Sequence, residues 1–325
     1  DLPQPRPRRR PSAPPATTTL DLSVETARAV ADLERPLEEV HHLAAFEQAR
    51  SHSLEARLAH LERARQVWET MLWLDHEPVV PSDLVTVITP THRRPDKLRR
   101  AIDSVLAQRY PRWELIVVDD GDDAGKSVVA EVGDDRITYR RIPHGGACAA
   151  RNAALELASV SIVTYLDDDN ALHPGWLHAV AWGFDNHPEH QVLYGARVFD
   201  DADRAHDRGS GGLPWLQLEP FDRSGLEQHN MADMGVIAHR AGIAGARFDE
   251  SFWECGDWDF FLAITEAQDP LMLPVVAFYY RTDGDDRLTG RYVHHADLVR
   301  EKWARRRAER TGGVAAEHLD GDAGT

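Results

Sequence analysis

The chain contains little cysteine and no long apolar segment. Its two cysteines, Cys148 and Cys255, lie far apart and lack the paired spacing of disulfide frameworks and metal sites. No apolar run approaches the roughly 18 residues that a transmembrane helix requires, and no signal-peptide pattern is present. These absences predict a protein without a transmembrane segment that works in the reducing cytoplasm.

Positive charge is outnumbered by negative charge. Lysine and arginine together number 37 against 54 acidic residues, which gives a formal net charge of −17. General binding to nucleic acid or to anionic membranes depends on a positive field, so the composition argues against both. Any phosphate group must therefore be bound at a local site.

Two common phosphate-binding motifs are missing. No Gly-x-Gly-x-x-Gly motif follows the first predicted strand, and no complete Gly-x-x-x-x-Gly-Lys-Ser/Thr loop occurs in the sequence, since Gly125-Lys126-Ser127 has Asp120 where the motif requires its first glycine. Their absence disfavours Rossmann-type dinucleotide binding and P-loop hydrolysis. If the protein binds a nucleotide, a metal ion must hold the phosphates instead.

The N-terminal quarter divides into a tail and a helical extension. Residues 1–19 are rich in proline and arginine and are predicted to be disordered. Residues 20–77 show the pattern of a helical hairpin, whose second helix begins at Ser53. That helix places several apolar residues on one stripe, which either packs on the main domain or forms a homodimer contact: Leu54, Leu58, Leu61, Trp68 and Leu72.

Strand and helix signals alternate from residue 82 onward. The predicted strands cover Leu84–Thr89, Trp113–Val118, Ile137–Ile142 and Ser161–Leu166. This alternation predicts an α/β domain at 82–290, with a mostly parallel central sheet flanked by helices and ligands bound beyond the carboxyl ends of its strands. Residues 291–325 are predicted to form a C-terminal helix and a flexible acidic tail.

An acidic cluster, Asp167-Asp168-Asp169, follows the fourth predicted strand directly. Three adjacent carboxylates repel one another unless a cation lies between them, and oxygen ligands suit Mg²⁺ or Mn²⁺. An acidic turn that caps the helix near Pro174 is the alternative.

Six sequence blocks follow one another along this domain: Val85–Arg94, Ser104–Gln108, Glu114–Gly121, Ala150–Ala154, Tyr165–Asp169 and Phe252–Asp259. In this order they resemble the signature blocks of family 2 glycosyltransferases. The resemblance covers roughly residues 82–290 and implies a GT-A fold, a nucleotide-diphosphate sugar donor, a divalent cation and inversion at the anomeric carbon.

The resemblance places base recognition on Pro90, Thr91 and Asp120, with Arg94 and Arg151 near the nucleotide. A carboxylate at position 120 can accept the ring N3–H of uracil or thymine, which specifies a UDP- or dTDP-type donor. The alternatives are a plain turn at 119–121, a solvated helix-end arginine at 94 and a surface ion pair at 151.

The family's Asp-x-Asp metal motif maps onto Asp167 and Asp169, which predicts Mn²⁺ or Mg²⁺ as cofactor. Asp169 is the expected direct ligand, and Asp167 or Asp168 reaches the ribose or a metal-bound water. The family often supplies a further histidine ligand near the end of the domain, but the segment 280–286 contains none. Asp283 or water would have to take that place.

The family's catalytic base maps onto Asp257, which would take the acceptor's proton in an inverting transfer. Asp259 is a rival for this role, and a helix cap is the structural alternative for Asp257. Many family members have glutamate immediately before the base, whereas this chain has Gly256.

The predicted function is therefore a metal-assisted, inverting glycosyltransferase with a small-molecule, saccharide or peptide acceptor. Two alternatives are a nucleotidyltransferase that acts on sugar phosphates and a non-catalytic nucleotide-sugar-binding or assembly protein.

Overall fold

The computed structural model describes residues 54–80, 83–158, 161–199, 215–280 and 295–320, with side chains of the last helix up to residue 310. The predicted tail and first hairpin helix lie outside these residues, as does Asp283. The chain divides into two units, Asp1–Leu61 and Glu62–Thr325. In the described part of the first unit, residues 54–61 are helical.

The first described helix, α1, covers residues 54–74, and its predicted start at Ser53 lies outside the described residues. In the second unit its buried face consists of Val67, Met71 and Leu74. Trp68 and Leu72, by contrast, are 47% and 66% exposed. These two residues of the predicted stripe therefore do not belong to the core of the second unit.

The first half of the domain follows the predicted alternation. Pro95 occupies the first turn of its first helix, in which the buried residues Leu98, Ala101, Ile102 and Val105 recur at helical spacing. The elements are β1 (Val85–Thr91), α2 (Pro95–Leu106), β2 (Trp113–Asp120), α3 (Ala124–Val132), β3 (Ile137–Ile142), α4 (Gly146–Leu155), β4 (Ile162–Tyr165) and β5 (Ala171–Leu172).

The second half has shorter strands and mixed strand directions. A 3₁₀ turn at Met234–Val236 leads directly into the strand that begins at Ile237. None of the helices in the described segments combines the length and apolar character needed to cross a bilayer. The elements are α5 (Trp176–Asn186), β6 (Val192–Phe199), β7 (Trp215–Gln217), α6 (Arg223–Leu226), β8 (Ile237–Arg240), α7 (Gly256–Ile264), β9 (Leu271–Tyr280) and α8 (His295–Asp320).

The strands form one sheet in the order β3-β2-β1-β4-β8-β6-β9-β5, and β7 pairs with β6. The four strands β3, β2, β1 and β4 run parallel, so their carboxyl ends meet at one edge. On the other side, β8 runs antiparallel to both β4 and β6, whereas β9 runs parallel to β6. This arrangement brings the loops after β1, β2 and β4 together.

Two adjacent aspartates at the end of β2 show how helices cover both faces of the sheet. Successive side chains of a strand point to opposite faces. Asp119 accepts a hydrogen bond from Gly125 N–H of α3 at 2.8 Å, and Asp120 accepts one from Gly146 N–H at the start of α4 at 2.9 Å. Helices α3 and α4 therefore lie on opposite faces.

Candidate active site

A cavity of about 590 Å³ opens at the carboxyl ends of β1, β2 and β4, bounded by the first turns of α4 and α7. Its size is within the usual range for small-molecule sites. All of the site residues predicted from the sequence line it: Pro90, Thr91, Arg94, Asp120, Arg151, Asp167, Asp168, Asp169 and Asp257. Their individual roles remain predictions, but the structure brings them together.

Asp120 is buried and is held by three hydrogen bonds. Oδ1 accepts from Gly145 N–H at 2.7 Å, and Oδ2 accepts from Gly146 N–H at 2.9 Å and from His144 Nδ1 at 2.8 Å. A carboxylate offers about four acceptor positions, so one position on Oδ1 is left for a ligand. Asp120 can therefore close the turn into α4 and still accept one ligand hydrogen.

The sequence reasoning gave no role to His92 and His144, which flank Asp120. Their rings stack with centroids 4.5 Å apart and planes inclined by 21°. The Nδ1 atom of His92 donates to the main-chain oxygen of Asp120 at 2.6 Å. Trp253 lies edge-on to His144, at 5.5 Å between centroids. Together these rings form an aromatic wall beside Asp120.

His92, Asp120 and His144 also bring potential metal-ligand atoms within 4.8 Å of one another. Their geometry does not suit a shared ion. Both Nδ1 atoms are used as donors to Asp120, and the remaining ring nitrogens lie in nearly parallel planes. Because a ring nitrogen binds a metal in its own plane, two stacked rings cannot direct their lone pairs to one ion.

In the acidic cluster each carboxylate has a basic or hydroxyl partner. Arg151 donates to Asp167 at 2.5 Å, and Arg94 lies 3.3 Å from both Asp168 and Asp169. Thr91 donates its hydroxyl hydrogen to Asp168 at 2.8 Å. These contacts tie the loop after β1, the loop after β4 and α4 into one polar network.

The three carboxylates differ in exposure. The side chain of Asp168 is 6% exposed, whereas those of Asp167 and Asp169 are 31% and 24% exposed. Burial raises the pKa of Asp168 to about 6, although Arg94 and Thr91 act to lower it. The oxygens of Asp167 and Asp169 are therefore the more accessible ones, and their hard carboxylate chemistry fits Mg²⁺ or Mn²⁺.

Asp257 lies in the first turn of α7 and lines the cavity. Its Oδ1 accepts from Trp258 N–H at 2.8 Å, and its Oδ2 accepts from the side chain of Asn230 at 2.9 Å. Burial raises its pKa, although these two hydrogen bonds and the charge of Arg151 act to lower it. A carboxylate whose pKa is raised by burial can act as a proton acceptor near neutral pH.

Asp259, the rival candidate for the base, faces away from the cavity. It is 3% exposed, and its two oxygens accept from Lys302 Nζ at 2.8 Å and from Trp303 Nε1 at 2.9 Å. Both partners belong to α8. Asp259 therefore joins α7 to the C-terminal helix, which leaves Asp257 as the only one of the two that faces the cavity.

Sequence reasoning also missed Asn230 and Asp233, which lie in the segment before the 3₁₀ turn. Asp233 lines the cavity and pairs with Arg197 of β6 at 2.9 Å. Burial raises the pKa of Asp233 above its ordinary value, against the lowering effect of Arg197. No motif marks either residue, because their position depends on contacts with β6 and α7.

Comparison with known proteins establishes the family. The model of glycosyl transferase family 2 matches residues 86–254, which is more than half of the chain. The chain belongs to glycosyltransferase family 2. The domain is thus a glycosyltransferase, and the nucleotidyltransferase alternative has no support.

Two curated family 2 relatives come from Escherichia coli. WcaA of strain K12, named as a glycosyl transferase of colanic acid biosynthesis, is 30% identical over 55% of this chain and 65% of its own length. WfgD, named as a UDP-Glc:alpha-D-GlcNAc-diphosphoundecaprenol beta-1,3-glucosyltransferase, is 38% identical over 27% of this chain and 35% of its own length. The chain therefore spans less than two thirds of either relative.

Among solved structures, the chain is similar to residues 1–349 of Staphylococcus aureus TarS in complex with UDP-GlcNAc. The TM-score is 0.51 at 17% identity, covering 64% of this chain and 61% of that one. At this identity the likeness shows the fold alone. The predicted GT-A fold is confirmed.

Proposed function

We propose that this domain transfers a sugar from a UDP- or dTDP-type nucleotide sugar to an acceptor, by a single inverting displacement assisted by Mg²⁺ or Mn²⁺. One observation carries the proposal: Asp120, the acidic cluster and Asp257 line the same cavity. A base-binding group, phosphate-binding groups and a proton acceptor are the three components that such a transfer requires.

The nucleoside binds at the end of the cavity formed by Pro90, Thr91 and Asp120. The free acceptor position on Asp120 Oδ1 receives the N3–H of uracil or thymine. His144 and Trp253 offer aromatic surface beside the ring. The name of WfgD, which gives UDP-Glc as donor, supports the uridine assignment.

The diphosphate binds between the acidic cluster and two arginines. Asp167 and Asp169 would hold the divalent cation, and Arg94 and Arg151 add positive charge. When bound, the cation neutralises the charge that develops as the nucleoside diphosphate leaves. Asp168 remains tied to Thr91 and keeps the two loops in register.

Asp257 takes the proton of the acceptor hydroxyl as its oxygen bonds to the anomeric carbon. At the same time the bond between that carbon and the diphosphate oxygen breaks, and the nucleoside diphosphate leaves with the electron pair. Attack opposite the leaving group inverts the configuration. A positioned general base contributes roughly 10² to 10⁴ to the rate of such a step.

The acceptor is proposed to be a small molecule, a saccharide or a peptide. The predicted cytoplasmic location and the predicted homodimer through residues 20–77 stay predictions. Light scattering on the full chain and on a chain that begins at Pro78 tests the dimer. A dimer that persists without residues 1–77 contradicts the assignment to the extension.

Donor hydrolysis tests the function without knowledge of the acceptor. The protein is incubated with UDP-glucose, UDP-GlcNAc, dTDP-glucose and GDP-mannose, with and without Mn²⁺, and release of the nucleoside diphosphate is measured. We expect turnover of a uridine or thymidine donor, only with metal, and NMR detection of an inverted product. Preferential turnover of GDP-mannose, or retention of configuration, contradicts the proposal.

A further inference from the structure

Asn230 makes a direct contact with the proposed base from outside every recognised motif. Its side-chain Nδ2 donates to Asp257 Oδ2 at 2.9 Å. The amide orientation is fixed independently, since Oδ1 of Asn230 accepts from Ala232 N–H at 3.2 Å. The amide nitrogen must therefore face the carboxylate.

The segment that carries Asn230 is anchored on both sides. Before it, Trp258 Nε1 donates to the main-chain oxygen of Leu226, and Arg300 Nε donates to that of Gln228 at 2.8 Å. After it, Asp233 pairs with Arg197, whose guanidinium also donates to Gln217 at 2.7 and 2.9 Å. Asn230 is exposed, yet its backbone has little freedom to move away from Asp257.

Charged and titratable groups face Asp257 from four sides. Arg151 and Cys148 approach from α4, Asp167 from the loop after β4, Asp233 from the segment before β8, and Cys255 from the start of its own helix. The two aspartates favour protonation of Asp257, and Arg151 favours the ionised form. Among neutral partners, the amide of Asn230 stabilises the ionised form because it donates a hydrogen bond to it.

We propose that Asn230 is the positioning residue of the Asp257 base, which it orients and keeps ionised for attack by the acceptor. This inference rests on the proposed function, since it assigns Asn230 a role only if Asp257 accepts the proton. In this role Asn230 acts on turnover and on its pH dependence. It has no part in binding the nucleotide.

The test measures hydrolysis of UDP-glucose against pH in excess Mn²⁺, with water as the acceptor. Asn230→Ala removes the hydrogen bond. Asn230→Asp replaces the amide by a carboxylate of nearly the same shape, whose negative charge repels that of Asp257. We expect the acid limb of kcat to move to higher pH by about one pH unit in Asn230→Ala, and further in Asn230→Asp. In both variants the plateau value of kcat falls about 3- to 10-fold, whereas KM for UDP-glucose stays within about twofold of the wild-type value. Asn230→Gln restores part of the loss.

Gln228→Ala, a change at an exposed side chain of the same segment, is the matched control and should follow the wild-type profile. Asp257→Asn is measured in parallel. If Asp257→Asn hydrolyses UDP-glucose like the wild type, the proposed function fails. If Asp257→Asn is inactive but the Asn230 variants keep the wild-type acid limb, only the inference about Asn230 fails.

A second measurement needs no turnover. Carboxyl ¹³C NMR follows the titration of Asp257, whose signal is assigned by its absence in Asp257→Asn. The Asp257 carboxyl should titrate at higher pH in Asn230→Ala than in the wild type. An unchanged midpoint overturns the inference.

Discussion

The sulfur atom of Cys148 occupies the space that a side chain at position 256 would need. A Cβ atom at Gly256 would lie 2.3 Å from Cys148 Sγ. The thiol is buried, lies 3.2 Å from the main-chain oxygen of Phe252, and has a pKa that burial raises to about 11. This contact leaves no room at position 256 for the glutamate that many family members carry before their catalytic base.

The first prediction follows from that contact. Gly256→Ala should lower the free energy of unfolding by about 1 to 3 kcal/mol, because the new methyl group overlaps the sulfur atom. Combining it with Cys148→Ala should recover about 1 kcal/mol relative to the sum of the single changes. Urea unfolding of the four proteins provides the measurement, and strictly additive effects would contradict the steric explanation.

The second prediction concerns the base. Asp257→Asn should reduce turnover by about 10² to 10⁴, because the amide cannot accept the proton. Affinity for UDP, measured by calorimetry, should stay close to wild type. Burial raises the pKa of Asp257, so wild-type activity should fall, as the pH is lowered, at a higher pH than an ordinary aspartate would give. Wild-type turnover by Asp257→Asn would remove it from the mechanism.

The third prediction separates Asp259 from catalysis. Asp259→Ala should cost about 1 to 3 kcal/mol of unfolding free energy, because it leaves Trp303 Nε1 without its buried acceptor, whereas Lys302 keeps Asp249. Activity per folded molecule should be close to wild type. Asp297→Ala breaks an exposed pair with Arg300 and should cost less than about 1 kcal/mol. An Asp259 variant that is stable but inactive would reverse the assignment.

The fourth prediction concerns the cation. Asp169→Asn should weaken Mn²⁺-dependent UDP binding at least about tenfold, because it removes one ligand charge. Calorimetry with and without Mn²⁺ isolates this effect, and Asp96→Asn, a change in the first turn of α2, is the control. Full activity of the wild-type enzyme in excess chelator would refute metal assistance.

The fifth prediction concerns base specificity. UDP should bind about 10- to 100-fold more tightly than CDP, since uracil N3 carries a hydrogen and cytosine N3 does not. GDP should also compete poorly. Equal affinities for UDP and CDP in the presence of Mn²⁺ would show that Asp120 does not contact the base at N3.

The first half of the domain could be predicted because its signals are local. Each strand from β1 to β4 is a short β-rich run, and the polar residues directly after β1, β2 and β4 must meet at one edge of a parallel sheet. The positions of Thr91, Asp120 and Asp168 follow from that rule alone. Asp257 came from the family resemblance, and the geometry now separates it from Asp259.

The remaining features depend on distant contacts. Asn230 contacts Asp257 and Asp233 lines the cavity because Trp258, Arg300 and Arg197 hold their segment, and no spacing in the sequence shows such pairings. The face of α1 was ambiguous for another reason. Apolar residues occur on several sides of the helix between Val67 and Leu74, so periodicity could not select the buried face.

Asp119 and Asp120 give β2 a strict requirement for length. The side chain of Asp119 accepts a hydrogen bond from α3, that of Asp120 lines the cavity, and only their order along the strand decides which does which. Insertion or deletion of one residue within β2 would turn each side chain to the opposite face. A substitution in this strand changes one side chain at a time, whereas a change of its length exchanges the residue that anchors α3 and the residue that faces the cavity at once.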